Sequence, residues 1–186
     1  MNSPAVSVIM PVYNCETYLE EAIRSLWTQT FSNWELVAID DGSTDKSSSI
    51  LDVLASEDNR IKVIHQTNAG VAAARQAGLD NSIGKYVIHV DADDWVEPDY
   101  PKNLYETIET KQVDMVWCDV YVNETQYWKH QCNEDADTLI HAMLRQELWG
   151  TLYNRIWRWE ICSQVRFLRN CTMWEDLSFL TLKKFN

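Results

Sequence analysis

Glycine and proline are scarce in this chain of 186 residues, five and four respectively, which leaves little room for flexible linkers or fibrous repeats. Bases are few as well. Sixteen Lys and Arg face 28 Asp and Glu, a formal net charge of −12 that argues against general nucleic-acid binding, because phosphate backbones need a basic surface. No run approaches the ~18 uncharged apolar residues of a membrane span. Met1–Ala5 lacks the basic and apolar regions of a signal peptide, so a cytoplasmic address is expected. Cys15, Cys118, Cys132, Cys162 and Cys171 form no CxxC pair and no Cys/His ligand spacing, which points to reduced thiols and away from zinc or a disulfide scaffold. The chain also has no GxxxxGK[ST] loop and no GxGxxG turn, so neither usual backbone cradle for phosphates is present.

What remains is ordinary globular material. Hydrophobic residues make up 46% and charged residues 24%, and the 21 aromatics, nine of them Trp, are enough for a core with some left for stacking surfaces. The length suits one domain, or one and a small appendage. Charge is uneven along it: residues 1–150 carry 25 acids and 10 bases, residues 151–186 carry 3 acids and 6 bases, as two working surfaces or uneven surface solvation would give.

Apolar runs at Val6–Met10, Trp34–Ile39, Ile61–His65, Tyr86–Val90 and Met115–Tyr121 read as strands, the first ended by Pro11. Between them, Leu19, Ala22, Ile23, Leu26 and Trp27 mark one face of an amphipathic helix. A second helix, capped by Ser43 or Thr44, turns Ile50, Leu51 and Leu54 inward; a third covers Ala69–Leu79 and a fourth Asp99–Thr110. This alternation predicts βαβ units and a mostly parallel sheet. After Tyr121 the rhythm breaks: a polar stretch leads to a short helix near Thr138–Glu147, then to an aromatic-rich segment without a clear period.

In an open α/β sheet, ligands bind at the carboxyl ends of the strands. Those ends here are Tyr13-Asn14, Asp40-Asp41-Gly42-Ser43, Asn68-Ala69-Gly70 and Asp91-Ala92-Asp93-Asp94. Clustered carboxylates repel unless a cation sits among them, so the edge looks built for a hard divalent ion with oxygen ligands, which would complete its shell with a substrate diphosphate. Tyr13 offers a ring to stack on a base, against simple packing over the sheet edge. Asp41 offers an acceptor for the imide N–H of uracil.

Val-Ser-Val-Ile-Met-Pro-Val-Tyr-Asn (6–14), Ile-Asp-Asp-Gly-Ser-Thr-Asp (39–45), Asn-Ala-Gly-Val-Ala-Ala-Ala-Arg (68–75) and Asp-Ala-Asp-Asp (91–94) together resemble the family-2 glycosyltransferases, in order and spacing. The resemblance covers residues 5–125 closely and 145–180 more loosely. It implies a GT-A fold: a Rossmann-like, mostly parallel sheet flanked by helices, with a nucleotide-sugar-binding subdomain at 1–125 and an acceptor-side segment at 126–186. It also implies a nucleotide-sugar donor, a Mn²⁺ or Mg²⁺ ion, and inversion at the anomeric carbon. Pro11, Tyr13 and Asp41 would contact the nucleoside, Asp91 the ribose or the metal, and Asp93 the metal, with Asp94 the alternative ligand. Asn14, Asn68 and Ala92 count with the donor-binding residues through the same motifs. Arg75 would reach the donor phosphate or sugar, unless it is a surface helix arginine.

Trp174-Glu175-Asp176-Leu177-Ser178-Phe179 resembles the family's late acidic pair, where a carboxylate is the catalytic base; Asp176 is the first choice and Glu175 the fallback. Glu-Asp opening a helix is also good dipole chemistry by itself. Trp174 stands where Gly is common, and Thr151 where Lys is often found. The sequence stops soon after Asp176, as a fragment of a longer enzyme would. The resemblance suggests surface-glycan assembly with a glycan or lipid-linked glycan acceptor, compatible with peripheral contact at the inner face of a membrane. Two other readings stand beside it: a catalytically inactive nucleotide-sugar-binding domain, and a receiver-like α/β module, although that module would carry its Asp pair after the first strand. A nucleotidyltransferase would need a Gly-rich basic loop after strand one, which is missing.

Overall fold

The computed structural model describes residues 3–122, 126–128 and 152–167. Strands β1 (Val6–Val12), β2 (Trp34–Asp40), β3 (Ile61–His65) and β4 (Tyr86–His89) alternate with helices α1 (Leu19–Trp27), α2 (Ser47–Glu57) and α3 (Val71–Asp80). Then follow α4 (Tyr100–Lys111), β5 (Met115–Trp117), β6 (Val120–Val122), β7 (Gln126–Trp128), β8 (Arg155–Arg158) and a short α5 (Trp159–Cys162). Six strands form one sheet in the order β3-β2-β1-β4-β8-β5, and β6 and β7 form an antiparallel pair of their own. The run 3-2-1-4 is the doubly wound order, with its switch point between β1 and β4; a receiver-like module would follow 2-1-3-4-5.

Strands buried on both faces read as continuous apolar runs, which is why β1 and β2 show no alternation. Val6, Val8, Met10 and Val12 pack with Leu19, Ile23 and Leu26 of α1, Leu51 and Leu54 of α2, and Leu104 and Ile108 of α4. Ile9 points to the other face, toward Ala72 and Leu79 of α3 and the segment Cys162–Phe167. The three large buried side chains of α1 contribute roughly 5–9 kcal/mol of gross burial. Gly78 lets α3 sit directly on β1: a Cβ there would stand 2.3 Å from Ile9 Cγ2.

Three expectations need correction. Pro11 does not end β1, which continues to Val12 in register with Asp40. The Ile9 carbonyl accepts from Val90, so Pro11, two residues on, turns its missing N–H to the side where β4 has already ended. The strand expected at 115–121 is two strands, β5 and β6, parted at Cys118-Asp119. The aromatic-rich stretch supplies β8, which lies antiparallel between β4 and β5 and completes the main sheet from beyond residue 125. With only four residues, buried almost throughout, β8 displays no period to read. The helix expected near 138–147 lies outside the described residues.

Candidate donor-binding edge

Because β1 to β4 are parallel, the four motif segments emerge at one edge. Tyr13, half exposed, follows β1, and Pro11 lies half-buried in the strand beneath it. Asn14 takes the left-handed conformation at φ 53° and is committed to its neighbours. Its N–H donates to Ser43 Oγ (3.1 Å), and its Oδ1 accepts from Thr44 N (2.8 Å). Ser43 and Thr44 therefore do not cap α2, which starts at Ser47; Asp45 Oδ1 accepts the Ser47 N–H (2.9 Å) instead. Further bonds lace the loops after β1 and β2, from Cys15 N to Ser47 Oγ (2.9 Å) and from Glu16 N to Asp45 Oδ2 (3.0 Å).

Side chains alternate across a strand, so adjacent Asp40 and Asp41 serve opposite faces of the sheet. Asp41, 3% exposed, faces α3: Oδ1 accepts from Gln66 Nε2 (2.6 Å) and Ala69 N (2.9 Å), and Oδ2 from Gly70 N (2.8 Å). Among the described residues, three of about four acceptor positions on that carboxylate are thus taken. Asp41 shapes the loop that carries Asn68, and Asn68 itself is exposed at the rim. Gly42 (φ +71°) passes so close that a Cβ would stand 2.8 Å from Asn68 N, so the glycine is what lets the two loops meet. Asp40 faces α2: Oδ1 accepts from Ser43 N (3.0 Å), and Oδ2 pairs with His65 Nδ1 (2.8 Å). Burial works to raise its carboxyl, but the bonds from Ser43 and His65 outweigh it and hold the group below its ordinary value.

The acidic cluster is therefore smaller than the sequence suggested. It comprises Asp91, Asp93 and Asp94, in a turn closed by Asp94 N to Asp91 O (3.1 Å). Arg75 is no surface helix residue: 4% exposed, it donates from Nη2 to Asp91 Oδ1 (3.0 Å) and ties α3 to the turn. Ala92 puts its side chain into the core, leaving only its backbone for the rim, while Asp93 and Asp94 lie on the exposed side. Although Asp94 reaches solvent, the part of its carboxyl that is shielded, and then the charges of Asp91 and Asp93, push it up to about 6. Burial also raises the Cys15 thiol, against the bond to the Tyr13 carbonyl and with the charges of Asp93, Asp45 and Asp91 adding to the rise. Among the described residues, no three His, Cys, Asp or Glu side chains converge as a complete protein-made metal site would. Two exposed carboxylates beside a third are what a Mg²⁺-type ion needs when a substrate diphosphate supplies further oxygens.

Glu175 and Asp176 lie outside the described residues. The described chain reaches Phe167, whose ring centroid is 5.9 Å from that of His89, two residues before Asp91. A cavity of about 620 Å³ opens at the opposite edge, where Ala5, Asn33, Gly84, Lys85, Arg158 and Trp159 line it, and it contains none of the motif residues.

Sequence reasoning missed His65, Gln66 and His89. For His65 a signal existed: Asp40 and His65 each end a strand, and parallel pairing makes them partners. His89 carried none. It is fully buried, and neither ring nitrogen has a hydrogen-bond partner among the described residues. No described helix is long and apolar enough to cross a membrane.

The comparisons bear on the family and the fold. The uncharacterized glycosyltransferase EpsJ of Bacillus subtilis (strain 168) is 34% identical over 194 residues, covering 98% of this chain and 55% of EpsJ. Glycosyltransferase GlyA of Streptococcus pneumoniae serotype 4 is 46% identical over 122 residues, 65% of this chain and 18% of GlyA. Among solved structures, S. aureus TarS 1–349 in complex with UDP-GlcNAc superposes with a TM-score of 0.79 at 26% identity, covering 94% of this chain and 52% of that one. The chain thus spans about half the length of EpsJ and of TarS 1–349, and less of GlyA. The profile of Glycosyl transferase family 2 matches residues 7–169, and with the GT-A architecture and the four motif-bearing strand ends in place, the chain belongs to that family.

Proposed function

We propose that this chain holds the donor site of an inverting glycosyltransferase that moves a sugar from a nucleoside diphosphate, a UDP-sugar, to an acceptor hydroxyl of a glycan or lipid-linked glycan. Residues 1–125 bind the donor and residues 126–186 face the acceptor. The observation that carries the reading is the meeting at one edge of an exposed Tyr13, the loop shaped by Asp41, and the Asp91–Asp94 turn. TarS, the structural neighbour above, binds UDP-GlcNAc, which supports uridine as the base.

In this mechanism Tyr13 stacks on the base, and the remaining acceptor position of Asp41 takes the uracil N3–H. Arg75 fixes Asp91 so that the turn presents Asp93, with Asp94 beside it, outward. These carboxylates would hold Mn²⁺ or Mg²⁺, which when bound supplies charge neutralisation for the departing diphosphate. Asp176, with Glu175 as its alternative, takes the proton from the acceptor hydroxyl as that oxygen attacks the anomeric carbon from the face opposite the diphosphate. The product is inverted, and no covalent enzyme intermediate forms.

Calorimetry of UDP with Mn²⁺ and with EDTA tests the reading. Affinities should differ by at least about tenfold, ~1.4 kcal/mol, and Asp93→Ala should abolish the difference. Equal affinity in both solutions would refute the metal assignment. Loss of the difference in Asp94→Ala alone would move the ligand to Asp94.

A further inference from the structure

We propose that His65 is a positioning residue of the nucleotide edge: its ring clamps Asp40 to Asp52 of α2, and so holds the turn after β2 in the form that grips Asn14. This rests on the donor-site reading above and adds a residue to it.

The geometry is a continuous chain of contacts. His65 Nε2 lies 3.1 Å from Asp52 Oδ1, and His65 Nδ1 lies 2.8 Å from Asp40 Oδ2. The other oxygen of Asp40 accepts the Ser43 N–H at 3.0 Å. Ser43 Oγ accepts the Asn14 N–H, and Thr44 N–H goes back to Asn14 Oδ1. Asn14 adjoins Tyr13, the residue assigned to the base. A strained, left-handed Asn14 persists only where its surroundings over-determine it, and these bonds are those surroundings.

Ser48 Oγ lies 3.3 Å from the same Nδ1 that Asp40 uses, so hydroxyl and carboxylate compete for one ring nitrogen. That arrangement does not activate a serine nucleophile, which needs the ring between the hydroxyl and the acid. The ring lies instead between two carboxylates, and donating to both requires a proton on each nitrogen. A neutral ring donates to one and presents a lone pair to the other. The titratable groups facing it are Asp40 from β2 and Asp52 from α2. The Asp40 bond first, then Asp52 against a burial penalty, raises His65 above its ordinary 6.5. The clamp is therefore complete at and below that ordinary value and is lost as pH rises through the raised one. Asp40 stays ionised from pH 6.5 upward, because its own value is lowered from the ordinary 3.8.

The test uses the full chain of 186 residues between pH 6.5 and 8.5, unmutated and as His65→Gln and Asp52→Asn. It reads UDP affinity with Mg²⁺ by calorimetry and amide hydrogen exchange at Ser43 and Thr44. The unmutated chain should lose about threefold or more in affinity across the range, with protection at the two amides falling in step. His65→Gln should bind weakly at every pH and keep only the shallower dependence that Asp94 and UDP themselves contribute, so the difference from the unmutated chain isolates the ring. Asp52→Asn should move the midpoint to lower pH. If His65→Gln keeps the slope and the amide protection of the unmutated chain, the clamp is overturned. If UDP fails to bind the unmutated chain while protection at Ser43 and Thr44 still follows His65, the nucleotide reading falls and the positioning of the turn stands.

Discussion

Replacing Asp41 by Asn changes one atom and should cost far more than a base preference. The carboxylate is 3% exposed and accepts from Gln66 Nε2, Ala69 N and Gly70 N. With the amide oxygen on the Oδ1 side, the bonds from Gln66 and Ala69 survive as neutral ones, each weaker by about 1 kcal/mol. The new NH₂ then meets the Gly70 N–H, which loses its acceptor and costs about 1–3 kcal/mol. Flipping the amide is worse, because two donors then lose their acceptor. The sum is roughly 3–5 kcal/mol, a fall in Tm on the order of 10 °C for a chain of this size. Urea unfolding gives the stability change, and amide exchange at Ala69 and Gly70 localises it. UDP should also lose its advantage over CDP in competition. An Asp41→Asn protein with an unchanged urea midpoint and unchanged exchange at those amides would refute the assignment of Asp41 as the brace of the Asn68 loop. Tight CDP binding to the unmutated chain would refute its contact with uracil.

Other consequences follow from buried groups and close contacts. Burial, and then the charge of Arg75, push His89 down to about 3. A base depressed on folding contributes stability that is complete above its ordinary 6.5 and is lost as pH falls toward the lowered value. His89→Leu should therefore be about 2 kcal/mol less sensitive to acidification from pH 7 to pH 5, read as the difference between two urea titrations; parallel pH profiles would contradict this. Gly78→Ala gains about 1 kcal/mol of helix propensity but drives a Cβ to 2.3 Å from the branched Ile9 Cγ2. Overpacking of about 1–3 kcal/mol should win, with Ile9→Leu relieving it; a raised urea midpoint in the single variant would show that α3 does not rest on β1 as described. Given a competent acceptor, Asp176→Asn should lower turnover by about 10²-fold or more with UDP affinity near normal, and Glu175→Gln should be milder. The reverse order would make Glu175 the base.

The strand–helix alternation to residue 117 and the inward face of α1 were legible in the sequence because both are local: hydrophobic period and length encode them without reference to distant partners. The gathering of Tyr13, Asp41, Asn68 and Asp91–Asp94 at one edge was legible too, since parallel strands necessarily send their carboxyl ends the same way. Partners were not legible. Ser43 and Thr44 have the composition of a helix cap, yet their bonds go to Asn14 in another loop. Arg75 has the spacing of a surface residue on an alanine-rich helix, yet the approach of α3 to the sheet buries it against Asp91. Asp40 and Asp41 read as one acidic pair until the pleat sends them to opposite faces, one to His65 and the other to the Asn68 loop. β8 enters between β4 and β5 from about 40 residues beyond β5, a pairing set by the open edge it fills and by nothing in its own four residues. Periodicity along a chain states what each segment must bury. Which donor meets which carboxylate is decided when the segments close on one another, because a hydrogen bond is settled by a few tenths of an ångström that no spacing in the sequence specifies.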